Sequence, residues 1–147
     1  MKYILIPFLV FGFTNLTAQY NTGDVQLNAS LVEIDANASV NFSLFKSDMS
    51  STYNVTETKI NTWSVSFGMK AGDIYFALEL ARITKKPIDE VVTVYTSNKQ
   101  KGWGVIAKDL GIKPGSPEFH ALKGNAGAKA SKGKDQGGQG KPKGKKN

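Results

Sequence analysis

Between Asp73 and Ile83 the chain carries two apolar stripes at helical spacing: Ile74, Ala77, Leu78 and Ala81 on one, Phe76, Leu80 and Ile83 on the other. A helix with two such stripes has to be covered on two sides, so this segment belongs inside a bundle. Tyr75, Glu79 and Arg82 are left as a narrow face for water or a partner, where Glu79 can pair with Arg82. Asp73 is the expected N-cap, accepting from the backbone N–H of Phe76.

The neighbours downstream keep the same period. Pro87 opens a helix that presents Ile88, Val91, Val92 and Tyr95 and runs to about Asn98. Gly102 breaks the chain, and Trp103, Ile106, Ala107 and Leu110 form a shorter helix that Gly111 ends in a left-handed conformation. Ser116 caps, and Pro117 opens, a last short turn whose Phe119 and Leu122 fold back on the bundle.

Upstream the pattern suggests strands. Trp63, Val65, Phe67 and Met69 alternate with Thr62, Ser64, Ser66 and Gly68, the two-residue period of a half-buried strand. Val25, Leu27, Ala29 and Leu31 alternate likewise and suggest a first strand. Phe42, Phe45, Met49 and Tyr53 favour one face of a helix, although Val40, Phe42 and Leu44 also alternate. The expected fold is α+β and mostly helical: a three- to four-helix C-terminal bundle packed on an N-terminal strand and helix region, as one domain over residues 20–123.

At the N-terminus a single cation, Lys2, precedes eleven apolar residues from Tyr3 to Phe13, then polar Thr14 and Asn15 and the small residue Ala18. This is the layout of an export signal over residues 1–18. The run is short of the roughly 20 residues a membrane span needs. Its expected consequence is a periplasmic or secreted protein. The chain has no cysteine, which excludes disulfides, thiol nucleophiles and lipidation of an N-terminal cysteine, so packing alone must hold a small exported domain. Asn-x-Ser/Thr triplets begin at Asn15, Asn28, Asn37, Asn41 and Asn54; the last four are glycan acceptors only in a eukaryotic secretory pathway.

The net charge of +7 is unevenly placed. Met1 to His120 holds eleven cations and eleven acids, whereas the rest holds eight lysines against Asp135 alone. Residues 124–147 offer nothing larger than Ala to a core apart from one Pro, too little apolar surface to offset about 1 to 2 kcal/mol of chain entropy per residue. A disordered tail is expected there. It reads as a solubilising spacer, or as a polycationic arm in which Lys129, Lys132, Lys134, Lys141, Lys143, Lys145 and Lys146 contact anionic polymers or lipid head groups.

Chemistry-bearing residues are sparse. His120 is the only histidine, and it sits between Phe119 and Ala121 in an apolar turn, where packing is a commoner role than general-base work. The adjacent acids Asp89 and Glu90 point to different sides of their helix, and no ligand set for a metal or cofactor stands out. The expectation is a non-enzymatic binding or accessory protein whose partner is a protein or an anionic polymer of the cell envelope. Trp103 reads as a core anchor, with Gly102 and Gly104 giving its ring room. Alternatively it is a stacking platform ringed by Lys99, Lys101 and Lys108. With Lys113 these residues are the candidate binding set. A competing reading takes Gly102 to Ile112 as the first helix of a helix-turn-helix unit in an extracytoplasmic nucleic-acid binder. The following segment, with Glu118, Phe119 and His120, lacks the Arg or Asn suited to reading bases.

The block Met69–Lys123 resembles an uncharacterised family of small exported bacterial proteins. The likeness is strongest in Gly102–Leu122, with its Gly-Trp-Gly, Ile-Ala-Lys, Leu-Gly-Ile-Lys-Pro-Gly-Ser-Pro and Glu-Phe-His-Ala-Leu segments. The resemblance implies a bacterial, Gram-negative origin and brings no activity, cofactor or catalytic residue with it.

Overall fold

A computed structural model describes residues 20–136. The expected export leader and Lys141, Lys143, Lys145 and Lys146 lie outside the described residues. Within them the chain forms α1 (Val25–Val40), α2 (Phe42–Tyr53), α3 (Glu57–Phe67), α4 (Ala71–Thr84), α5 (Ile88–Asn98), a 3-10 turn (Lys99–Lys101), α6 (Trp103–Asp109) and α7 (Pro117–Gln136). No strand occurs among the described residues. The fold is therefore all-helical, which corrects the α+β expectation.

Both expected strands are helices, for the same reason. An alternating run contains an i, i+4 pair, and the apolar residues beyond the run decide which period is used. In α1 the buried residues are Leu27, Leu31, Ile34 and Ala38, a four- and three-residue rhythm that leaves Val25 84% exposed. Asp24 starts the helix, its Oδ1 accepting from Leu27 N–H at 2.8 Å. In α3 the buried face is Ile60 and Trp63, while Val65 is 75% exposed. Thr56 caps the first turn through Lys59 N–H, and Gly68 closes the last one at φ 63°. Met69 is buried after the helix has ended. The helix expected around Phe45 and Met49 is present as α2, capped by Asn41.

α4 is the centre of the molecule, and α1, α2, α3, α5 and α7 all pack on it. Every residue from Ala71 to Leu80 is buried. The face expected to be open is closed at two of its three residues: Tyr75 is buried and Glu79 is 4% exposed, while Arg82 stays exposed. Tyr53 from α2 donates to Glu79 Oε1 at 2.6 Å, Asn125 from α7 donates to Oε2 at 2.8 Å, and Arg82 bridges both oxygens as expected. Asp73 is not the N-cap. Lys70 holds that position, and Asp73, three residues on, accepts from the Lys70 backbone N–H at 2.9 Å.

The expected short turn at Pro117 is instead a helix of twenty residues. Ser116 does cap it, through Phe119 N–H. Beyond Leu122, among the described residues, the helix buries Ala126 and Ala130 alone, and it is tied to α1 by the Asn37 amide donating to the Ala130 carbonyl at 3.0 Å. Residues 124–136, expected to lack structure, are thus a packed part of the bundle. Small side chains allow it: where two helices approach closely, backbone polar groups and short side chains supply contacts that large apolar residues supply elsewhere.

Candidate functional site

The Gly102–Trp103–Gly104 segment is built around an incoming piece of chain. Trp103 N–H donates to the Tyr20 carbonyl at 3.0 Å and Gly104 N–H to the Asn21 carbonyl at 2.9 Å, so residues 20–22 satisfy the first amides of α6. A Cβ on Gly104 would lie 2.9 Å from the Thr22 carbonyl oxygen, and one on Gly102, at φ 80°, would lie 2.8 Å from Asn21 Cβ. The glycines make room for this segment, not for the indole. Tyr20 itself is 1% exposed, and its hydroxyl donates to Asp35, which also accepts from Gly72 N–H.

Trp103 is 2% exposed. Its ring stacks on Tyr95 with centroids 4.7 Å apart and meets Phe76 edge-on at 5.1 Å, and its Nε1 donates to Asp73 Oδ1 at 2.8 Å. The indole is a core anchor, and a stacking platform for external ligands is corrected by its burial.

Beside it lies a cleft of about 300 Å³, lined by Lys70, Tyr95, Lys99, Gln100 and Trp103 over Asp73. Of the residues expected to bind, the structure brings Lys99 and Trp103 to this cleft. Lys101 shares the 3-10 turn with Lys99. Lys108 and Lys113 are exposed at the far end of α6 and just beyond it, some 10 Å along a seven-residue helix. Lys70 and Gln100 were not among the sequence candidates. Their part depends on the α3–α4 junction meeting the α5–α6 junction, which no local pattern encodes.

The lysines fall into two populations. On α7, Lys129 pairs with Asp48, Lys134 with Glu33 at 3.6 Å and Lys123 with Asp24 at 3.0 Å; Lys132 is exposed. Among the described residues, Lys70, Lys99, Lys101, Lys108 and Lys113 have no carboxylate within ion-pair reach. Lys85, at the end of α4, shares that condition away from the cleft. Lys99 Nζ is held by neutral groups, 3.4 Å from the Phe67 carbonyl and 5.9 Å from the Tyr95 ring centroid.

Burial sets the acid strengths here. Asp73 is pushed up by desolvation, partly offset by the bonds from Trp103 and Lys70. Burial acts in the same direction on Glu79, but its bonds from Arg82, Tyr53 and Asn125 outweigh it and hold the carboxyl below its usual range. Desolvation raises Tyr53, Tyr75 and Tyr95. No buried side-chain polar atom among the described residues lacks a hydrogen-bond partner. Asp89 and Glu90 are paired with Lys59 and Lys86, and His120 is exposed beside Phe119.

No helix among the described residues is long and apolar enough to cross a membrane. Comparison with models of protein families, with curated proteins and with solved structures finds no match to this chain.

Proposed function

We propose that this chain is an exported, non-enzymatic binding protein that engages an anionic polymer of the cell envelope through the α5–α6 end of the bundle. The observation that carries this reading is the division of the lysines: three of the four described on α7 pair with Asp24 at the start of α1, Glu33 of α1 and Asp48 of α2, whereas Lys99, Lys101, Lys108 and Lys113 have no carboxylate within ion-pair reach. Export rests on the pattern of residues 1–18. The non-enzymatic part is supported by how the buried acids are used. Asp73 and Glu79 each accept from donors on other elements and so hold helices together.

Binding to an anionic polysaccharide, to anionic vesicles and to duplex DNA is measured across a salt series. Replacing Lys99, Lys101, Lys108 and Lys113 by Gln is expected to abolish polysaccharide binding and flatten its salt dependence. Replacing Lys129, Lys132 and Lys134 is expected to leave it largely intact. The reverse ranking sinks the reading, and preference for duplex DNA favours the nucleic-acid alternative. Unprocessed protein found in the cytosol removes export.

A further inference from the structure

We infer that leader removal cuts the chain between Ala18 and Gln19 and that the exposed glutamine then closes into a pyroglutamyl cap, a modification that presupposes the export proposed above. The seat of the N-terminal segment limits where that cut can fall. Tyr20 is 1% exposed and Thr22 5%. Gly72, Gly102 and Gly104 make room for them: a Cβ on Gly72 would run into the Tyr20 hydroxyl, one on Gly102 would lie 2.8 Å from Asn21 Cβ, and one on Gly104 would lie 2.9 Å from the Thr22 carbonyl oxygen. Thr22 N–H donates to Asn28 Oδ1 at 3.0 Å and so fastens the segment to α1. A cut beyond Tyr20 empties this seat and takes the Tyr20 carbonyl from the Trp103 N–H at the start of α6. The mature chain therefore retains Tyr20. Of the two bonds just before it, the one after Ala18 follows a small residue, as leader removal requires, and the one after Gln19 does not. Gln19 is then the first residue.

A terminal glutamine carries its own electrophile. Its α-amine and its side-chain amide carbon reach each other in a small ring, so the attack is intramolecular and needs no encounter. Ordinary α-amines titrate near about pH 8, which leaves an appreciable nucleophilic fraction at neutral pH. The α-nitrogen bonds to Cδ, the Cδ–Nε2 bond breaks, one proton passes from the attacking nitrogen to the leaving one, and ammonia departs. Nothing is oxidised or reduced, and no co-reactant is consumed. The lactam is neutral, so the mature chain starts without an α-ammonium. Exopeptidases that recognise a free α-amine have none to hold, and trimming toward the buried Tyr20 is blocked at its first step.

The test is the mass of the protein recovered from the exported fraction of its own cells, collected directly into denaturant. Its N-terminal peptide is expected to begin at Gln19, to be lighter than the unmodified sequence by one ammonia, and to resist stepwise N-terminal degradation, with the same extent of capping at harvest and after storage. Aminopeptidase is expected to leave the native chain unshortened and to remove the first residue from the exported Gln19→Ala variant. A chain that starts at Gln19 with its full mass and a free α-amine overturns the cap while export stands. So does a cap absent at harvest that forms only on storage. A processed chain that starts at any other residue overturns the cut and the cap together. A chain that still starts at Met1 removes the export reading, and the cap with it.

Discussion

The indole N–H of Trp103 donates to Asp73 Oδ1 across 2.8 Å, so one hydrogen bond ties the first turn of α6 to the first turn of α4. The second Asp73 oxygen closes the capping box with Lys70, which makes a single buried carboxylate responsible for one helix start and one interhelical contact. Trp103→Phe keeps most of the ring packing against Tyr95 and Phe76 but leaves Oδ1 without its donor. The expected loss is about 1 to 3 kcal/mol. Trp103→Ala adds a cavity, for a loss of about 3 to 5 kcal/mol. Urea unfolding followed by circular dichroism measures both, and a Trp103→Phe variant as stable as the unaltered protein contradicts a role for the N–H.

Asp73 and Glu79 give stability opposite dependences on pH. Burial raises Asp73, so the folded state takes up its proton at a pH where the unfolded chain has lost it. Stability from this group therefore falls as pH rises from the ordinary aspartate range to the raised folded value, and is level above that. Burial also acts on Glu79, but its donors win and the folded value is lowered. Its contribution is present above the ordinary glutamate range and is lost as pH falls through the folded value. Asp73→Asn is expected to remove the decline on the rising side, and Glu79→Gln the loss on the acid side, in urea midpoints collected from about pH 2 to pH 8. A Glu79→Gln profile parallel to that of the unaltered protein refutes the assignment.

The Gly104 notch yields a test of the N-terminal segment. Gly104→Ala puts a methyl group 2.9 Å from the Thr22 carbonyl oxygen, a backbone atom that cannot swing away, so residues 20–22 must shift. The variant is expected to lose the Trp103-to-Tyr20 and Gly104-to-Asn21 bonds, visible as faster amide exchange at Trp103 and Gly104. Tyr20→Phe keeps the ring in place and loses the bond to Asp35, about 1 kcal/mol. Unchanged exchange in Gly104→Ala means that the segment is not seated there.

The helices from Ile74 to Leu110 were legible because their apolar residues are dense enough for one period to dominate, with Pro87, Gly102 and Gly111 marking the ends. α1 and α3 were not. Their exposed Val25 and Val65 complete a false two-residue rhythm, and the signals that decide against it, the caps at Asp24 and Thr56 and the αL glycine at Gly68, are single polar or small residues. α7 was hidden for another reason: its stability comes from contacts with distant residues, Asn37 and Glu79, and its own composition of Gly, Lys and Ala argues against order. Of the site, Lys99 could be named because it lies near Trp103 in sequence. Lys70 could not, since only the meeting of two helix junctions puts it across the cleft.

If α7 belongs to the fold, its glycines must differ in what they tolerate. Gly124 has open space around its Cβ position, so Gly124→Ala gains helix propensity and is expected to stabilise by about 1 kcal/mol. At Gly133 a Cβ would run into the Asn37 side chain, the same amide that donates to the Ala130 carbonyl. Gly133→Ala has to displace that amide, and it is expected to gain nothing or to destabilise despite the identical change in propensity. Ending the chain at Lys123 is the stronger form of the test. It removes Ala126 and Ala130 from the core and takes the Asn125 amide from the buried carboxylate of Glu79, for an expected loss of about 2 kcal/mol or more. A chain stopped at Lys123 that unfolds at the same urea concentration as the intact one shows that the bundle does not depend on α7 beyond that point.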